Sequence, residues 1–138
     1  MTSAVIDASV TGPLILADEA GDISDRLLSV FADGQAVVPQ HWRLEIANLG
    51  LIAVRKRRVS IAELEQGLKL LDEFQIVIDS ETGRSAWNRS LDLAALHGLT
   101  SYDAAYLELA KRRSLQIATR DANLAKAADR EGVLLFPL

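Results

Sequence analysis

The sequence contains no cysteine. That excludes a disulfide framework, a thiolate nucleophile and a Cys-ligated zinc or iron–sulfur centre. Only two histidines are present, too few for a histidine-built transition-metal site, so any metal is expected on oxygen ligands. Aromatic residues make up 5%, sparse for a surface that stacks single-stranded bases. Three prolines and eight glycines, against 49% hydrophobic residues, exclude a collagenous, low-complexity or disordered chain. Long hydrophobic runs are missing as well: charge interrupts every run well short of the roughly 18 residues that a bilayer span requires. The opening MTSAVIDASV has no positive segment and an acid at position 7, unlike a secretory signal, so a cytoplasmic protein without a membrane partner is expected. An excess of positive charge is also absent. The 15 basic and 19 acidic residues give a net charge of -4, which leaves only local basic patches to contact nucleic acid. Neither the P-loop nor the dinucleotide-binding glycine pattern occurs.

What the 138 residues do contain is a regular alternation, expected to form one domain over residues 1–138. Short apolar runs at 4–6, 35–38, 75–78, 115–118 and 133–136 predict strands. Between them, helical spacing predicts helices over 22–32, 40–56, 61–73, 81–96, 101–113 and 122–131. Ser60 and Glu63 form an S-x-x-E capping pattern, and Gly98 is placed to end a helix. Continuous apolar strands joined by helices call for a parallel sheet covered on both faces: a three-layer α/β/α domain with its site beyond the carboxyl ends of the strands.

Four acids stand out from a solvated surface. Glu45 falls, at 100° per residue, between Leu49 and Ile52 in a segment that is otherwise almost wholly apolar. A carboxylate facing the core is costly unless paired or bound to a cation. Asp7 follows the first strand, where an α/β sheet opens its ligand crevice, although a turn or N-cap role would serve equally. Asp103 fits a T-x-x-D cap with Thr100, and Asp121 is placed to cap the last helix. Taken together, this topology brings all four towards one point, where they would repel strongly without a cation. All-oxygen, acid-rich ligation suits Mg²⁺ or Mn²⁺, and such a site suits phosphodiester hydrolysis without a histidine or cysteine base.

With these residues in view, the chain resembles PIN-domain ribonucleases, specifically the VapC-type toxins of toxin–antitoxin pairs. The matching segments are VIDASV at 5–10, VPQHWRLEIANL at 38–49, SYDAAYLELA at 101–110 and ATRDANLAKAA at 118–128. The resemblance implies a PIN-like α/β/α fold and a Mg²⁺- or Mn²⁺-dependent endoribonuclease. Asp7, Glu45, Asp103 and Asp121 match that family's catalytic and metal-binding acids, with Ser9 and Thr119 as supporting hydroxyls. It further implies a homodimer and a cognate VapB-type antitoxin that enters the active-site groove.

Arg55, Lys56, Arg57 and Arg58 are the one dense positive run, placed either to hold RNA phosphates at a groove rim or to end a helix in solvent. Trp87 shares a helix face with Leu91 and is expected in the core or an interface, while Trp42 and Tyr106 are candidates for a dimer face. His41 and His97 read most simply as capping or core-edge groups. The acids alone also permit another metal-dependent nuclease or phosphatase, and the fold permits a non-catalytic protein-binding domain. Ser9 stands where a phosphoaspartate-type phosphatase would need a second acid.

Overall fold

A computed structural model describes residues 2–19, 21 and 23–138; position 22, where the sequence places the start of its first long helix, lies outside the described residues. Four strands, β1 (Ser3–Ile6), β2 (Gln35–Val38), β3 (Ile76–Ile78) and β4 (Gln116–Ala118), form one sheet in the order β3-β2-β1-β4. All three pairings are parallel, with Val5 opposite Val37 on one side and Ile117 on the other. The helices are α1 (Gly12–Ile15), α2 (Asp25–Ala32), α3 (Trp42–Arg55), α4 (Ile61–Asp72), α5 (Thr82–Ser85), α6 (Arg89–His97), α7 (Ser101–Arg113) and α8 (Ala122–Arg130). They flank the sheet in an α/β/α arrangement, as the alternation of runs predicts. Among the described residues, no helix is long and apolar enough to cross a membrane.

The local signals operate as their chemistry requires. Ser24 caps α2 by accepting from the Leu27 N–H. Ser60 and Glu63 close a reciprocal capping box at the start of α4. Gly98 ends α6 with φ at 65°, a left-handed conformation open to glycine at little cost. The α2 face carrying Leu27 and Phe31 is buried, as its spacing requires.

Three expectations are corrected. The run at 133–136 is not a full strand: Leu135 makes one isolated parallel bridge to Ile117, and Pro137 follows without an N–H to extend the ladder. The predicted 81–96 helix is two helices, because the Asn88 side chain accepts from the Arg89 N–H and starts a new helix. Trp87, at that break, is 91% exposed and so not a core residue, whereas Trp42 and Tyr106 are buried in the core and present no dimer face. The short helical turns at Ala8–Val10 and Ala17–Glu19, together with α1, pass unseen in the sequence because they are too brief to show a period.

Helices α3, α4 and α1 pack closely through glycine. A Cβ at Gly50 would stand 2.3 Å from a Leu64 methyl, and one at Gly67 would stand 2.5 Å from the Ile15 carbonyl oxygen. The second neighbour is backbone and cannot swing aside. Gly67→Ala is therefore expected to destabilise the protein by about 1–3 kcal/mol despite alanine's better helix propensity, measured as a lower urea midpoint.

Candidate active site

The β1 and β4 ends meet where the sheet order turns: the chain leaves β1 for β2 on one side, while β4 lies on the other. Such a switch point is where an open α/β sheet leaves a crevice. The Asp7 N–H donates to the Ala118 carbonyl at 3.0 Å and ties the two strand ends together. The Asp7 side chain is buried, and two hydroxyls donate to its Oδ2: Thr119 at 2.6 Å and Ser9 at 2.8 Å. The Ser9 oxygen accepts from the Arg120 N–H, and the Thr119 oxygen accepts from the Asp121 N–H, so the backbone fixes both hydroxyls in turn. Asp7 stands at the N-cap of a short turn but makes no side-chain cap bond there.

The other three acids arrive from three helices. Asp121 caps α8, its Oδ1 accepting from the Leu124 N–H at 2.9 Å. Asp103 lies in the first turn of α7, where Thr100 is the cap and accepts the Asp103 N–H. Both capping roles foreseen from sequence are thus present, and both carboxylates still reach the same cleft. Glu45 comes from α3. Its Oε1 accepts from the Tyr106 hydroxyl at 2.9 Å and lies 3.0 Å from His41 Nε2. The core face of α3 is Trp42, Ile46, Gly50 and Ala53, whereas Glu45 shares with Asn48, Leu49 and Ile52 the wall of the cleft. The inward-facing glutamate expected from sequence is therefore a cleft-facing one.

The cleft has a volume of about 410 Å³ and is lined by Asp7, Glu45, Asp103 and Asp121, with Ser9 and Arg58 among its other walls. Burial raises the Asp7 pKa above the usual aspartate range; the Thr119 and Ser9 hydroxyls oppose this, and the charges of Glu45 and Asp121 reinforce it. Burial likewise raises Asp103, with Asp7, Asp121 and Glu45 adding to the shift. Each acid therefore lies in the field of the others. Among the described residues, no three acidic or imidazole groups stand close enough to hold one ion between them. The donor set is all oxygen and opens on one cavity, which fits a hard divalent cation, but the carboxylates would have to draw closer around it.

The basic run divides. Arg55 ends α3, Lys56 is its C-cap, and Arg57 turns the chain with φ at 59°. Arg58 alone of the four lines the cleft, and its Nε and Nη2 donate to Asp18 and Glu19. Two buried acids escaped the sequence reading. Asp79, just beyond β3, pairs with Arg112 and Arg113, while Glu108 pairs with Arg112 and Arg89. A cavity of about 420 Å³ lined by Arg89, Glu108 and Arg112 thus has these charges already matched. Tyr106, a dimer-face candidate in the sequence, and His41, expected as a capping or core-edge group, both contact Glu45, a role the sequence did not assign to either. The available signal was that Tyr106 lies three residues after Asp103, on the same face of α7.

A raised carboxylate pKa has a defined effect on stability. Folding favours the protonated form of Asp7 and Asp103, so their contribution is fully present below the unfolded pKa and is lost as pH rises through the folded one. Wherever Asp7 is ionised, its buried charge weakens the fold. In the presence of a chelator, Asp7→Asn is expected to melt at a higher temperature than wild type at pH 7, with the gap closing towards pH 3. Calorimetry across that range checks it.

No curated protein matches the chain. Among solved structures it is similar to the crystal structure of PAE2754 from Pyrobaculum aerophilum, with 24% identity and a TM-score of 0.65 over 91% of this chain and 79% of that one. It is also similar to the crystal structure of FitAcB from Neisseria gonorrhoeae, with 23% identity and a TM-score of 0.58 over 99% of this chain and 97% of that one. At these identities the likeness concerns the fold. The PIN domain family model matches residues 4–130, nearly the whole sheet-and-helix unit around the acid cleft, and the chain belongs to the PIN-domain family.

Proposed function

We propose that this protein is a Mg²⁺- or Mn²⁺-dependent endoribonuclease that hydrolyses RNA phosphodiester bonds and acts as the toxin of a VapBC-type pair. The observation that carries the reading is the meeting of Asp7, Glu45, Asp103 and Asp121 in one cleft at the switch point of the sheet. PIN-family membership supports a hydrolase, and the four sequence segments resembling VapC-type toxins support the narrower role. On that resemblance, residues 1–138 act as one cytoplasmic domain, as a homodimer held inactive by a cognate VapB-type antitoxin.

In this reading Asp7, Glu45, Asp103 and Asp121 hold the divalent cation. Bound there, it would supply activation of water and neutralisation of charge on the phosphoryl oxygens. Ser9 and Thr119 keep Asp7 oriented by occupying one carboxylate oxygen, leaving Oδ1 outside those two bonds. Arg58 meets the phosphate backbone: its bonds to Asp18 and Glu19 use Nε and Nη2, and Nη1 is outside them. The remaining residues of the run, Arg55, Lys56 and Arg57, provide a more diffuse attraction for RNA.

Mapping of cleavage sites on total cellular RNA tests the reading. Wild-type protein is expected to produce discrete cuts with Mg²⁺ and none with a chelator, while Asp7→Asn and Asp103→Asn abolish them. Full activity in either variant at limiting Mg²⁺ would falsify the assignment. Metal-independent behaviour with no RNA cleavage would instead favour a protein-binding domain, and cleavage of DNA or phosphomonoesters alone would favour another hydrolase. For the rim, Arg58→Ala should flatten the log–log salt dependence of RNA affinity by about one unit. An unchanged slope would return the run to an ordinary helix end.

A further inference from the structure

Glu45, like Asp7, is held by side chains that are themselves anchored. Tyr106 is fully buried, and its hydroxyl donates to Glu45 Oε1 at 2.9 Å. His41 sits one turn before Glu45, with Nε2 3.0 Å from the same Oε1 and 3.1 Å from the Tyr102 carbonyl oxygen. The carbonyl is an acceptor, so Nε2 must carry a hydrogen, which it donates to Tyr102 while standing at ion-pair distance from the Glu45 carboxylate. The imidazole is clasped by two tyrosines: its ring centroid is 5.3 Å from that of Tyr106, edge-on, and 5.8 Å from that of Tyr102. Oε1 therefore receives the Tyr106 hydroxyl and faces the His41 ring nitrogen, two contacts that hold one end of the carboxylate and leave Oε2 outside both.

We infer that His41 and Tyr106 are positioning residues that lock Glu45 so that it offers a single oxygen, Oε2, to a divalent cation in the cleft; this rests on the metal-dependent reading of that cleft. A glutamate has three side-chain torsions and would otherwise sample many orientations at the half-buried wall of an open cleft. The Tyr106 hydrogen bond and the His41 contact restrict that freedom and link α3 to α7, so the acid from one helix is held by the helix that carries Asp103. Partners of this kind, which bond to a ligand rather than to the metal, govern affinity through ligand orientation.

The test measures Mn²⁺ affinity by calorimetry, alongside RNA cleavage and melting temperature, in Tyr106→Phe, His41→Ala and His41→Gln. Tyr106→Phe and His41→Ala are expected to weaken Mn²⁺ binding by about tenfold each. His41→Gln, which keeps an N–H donor, should recover much of the loss. At saturating Mn²⁺, kcat should return towards wild type with the KM for RNA unchanged, a pattern that loss of fold does not produce. Wild-type Mn²⁺ affinity in both Tyr106→Phe and His41→Ala overturns the inference while leaving the metal-dependent reading intact. Wild-type protein that binds no Mn²⁺ overturns both. If Tyr106→Phe fails to fold, the His41 pair decides alone: equal affinity in His41→Ala and wild type overturns the inference, and weakening rescued by glutamine supports it.

Discussion

Burying a carboxylate at the junction of two strands is a severe constraint, and the arrangement around Asp7 follows from meeting it. The charge loses hydration and gains hydroxyl donors from Ser9 and Thr119, residues separated by almost the whole chain. The Thr119 donor is in place only when β4 lies beside β1 in register, with the Asp7 N–H on the Ala118 carbonyl. The pairing that completes the sheet is thus the pairing that satisfies the acid. The same contact brings Asp121 to the cleft, because this N-cap of α8 stands three residues after β4 ends.

Around that fixed acid, the remaining carboxylates have distinct supports. Asp121 at the N-cap of α8 and Asp103 in the first turn of α7 stand at helix N-termini, where partial positive charge favours an anion. Glu45 adds to its first-turn position on α3 the Tyr106 hydroxyl donor and the neighbouring His41 imidazole. Arg58, the cation of the run that reaches the cleft, is tethered by Asp18 and Glu19, so the site keeps its negative character. The contrast with Asp79 is instructive. It too follows a strand and is buried, yet two arginines neutralise it. Position after a strand therefore does not distinguish a site acid from a structural one; the charge of its neighbours does.

Much of this was legible in the sequence, for reasons that differ by element. Strands β1 and β2 show as apolar runs because both faces of a central parallel strand are covered, and the edge strand β4 because Ile117 and Ala118 are buried. The run ending in Phe136 misleads because apolar character reports burial, whereas a strand also needs backbone partners. The acids were visible because each breaks a local pattern: Glu45 in an apolar helix, Asp7 at the end of an apolar run. Their partners were not. Tyr106 and Trp42 look alike as aromatic residues in helices, yet among the described residues the Trp42 Nε1 has no hydrogen-bond partner, while the Tyr106 hydroxyl meets Glu45. That difference depends on the packing of α3 against α7, a contact between segments some sixty residues apart. The Asn88 break was written in the sequence as a good N-cap residue, but the apolar spacing on either side masked it.

Helix α7 also reaches beyond the cleft. Its first turns carry Asp103 and Tyr106, and its last turns carry Glu108, Lys111, Arg112 and Arg113. Those later residues are bolted to Asp79, Arg89 and Glu131 by ion pairs. A helix resists sliding along its axis, so anchors at one end set the depth to which the other end protrudes. The rear ion pairs therefore act as a depth stop for the acids in front, and the shape of the cleft is adjusted by charges that never face it.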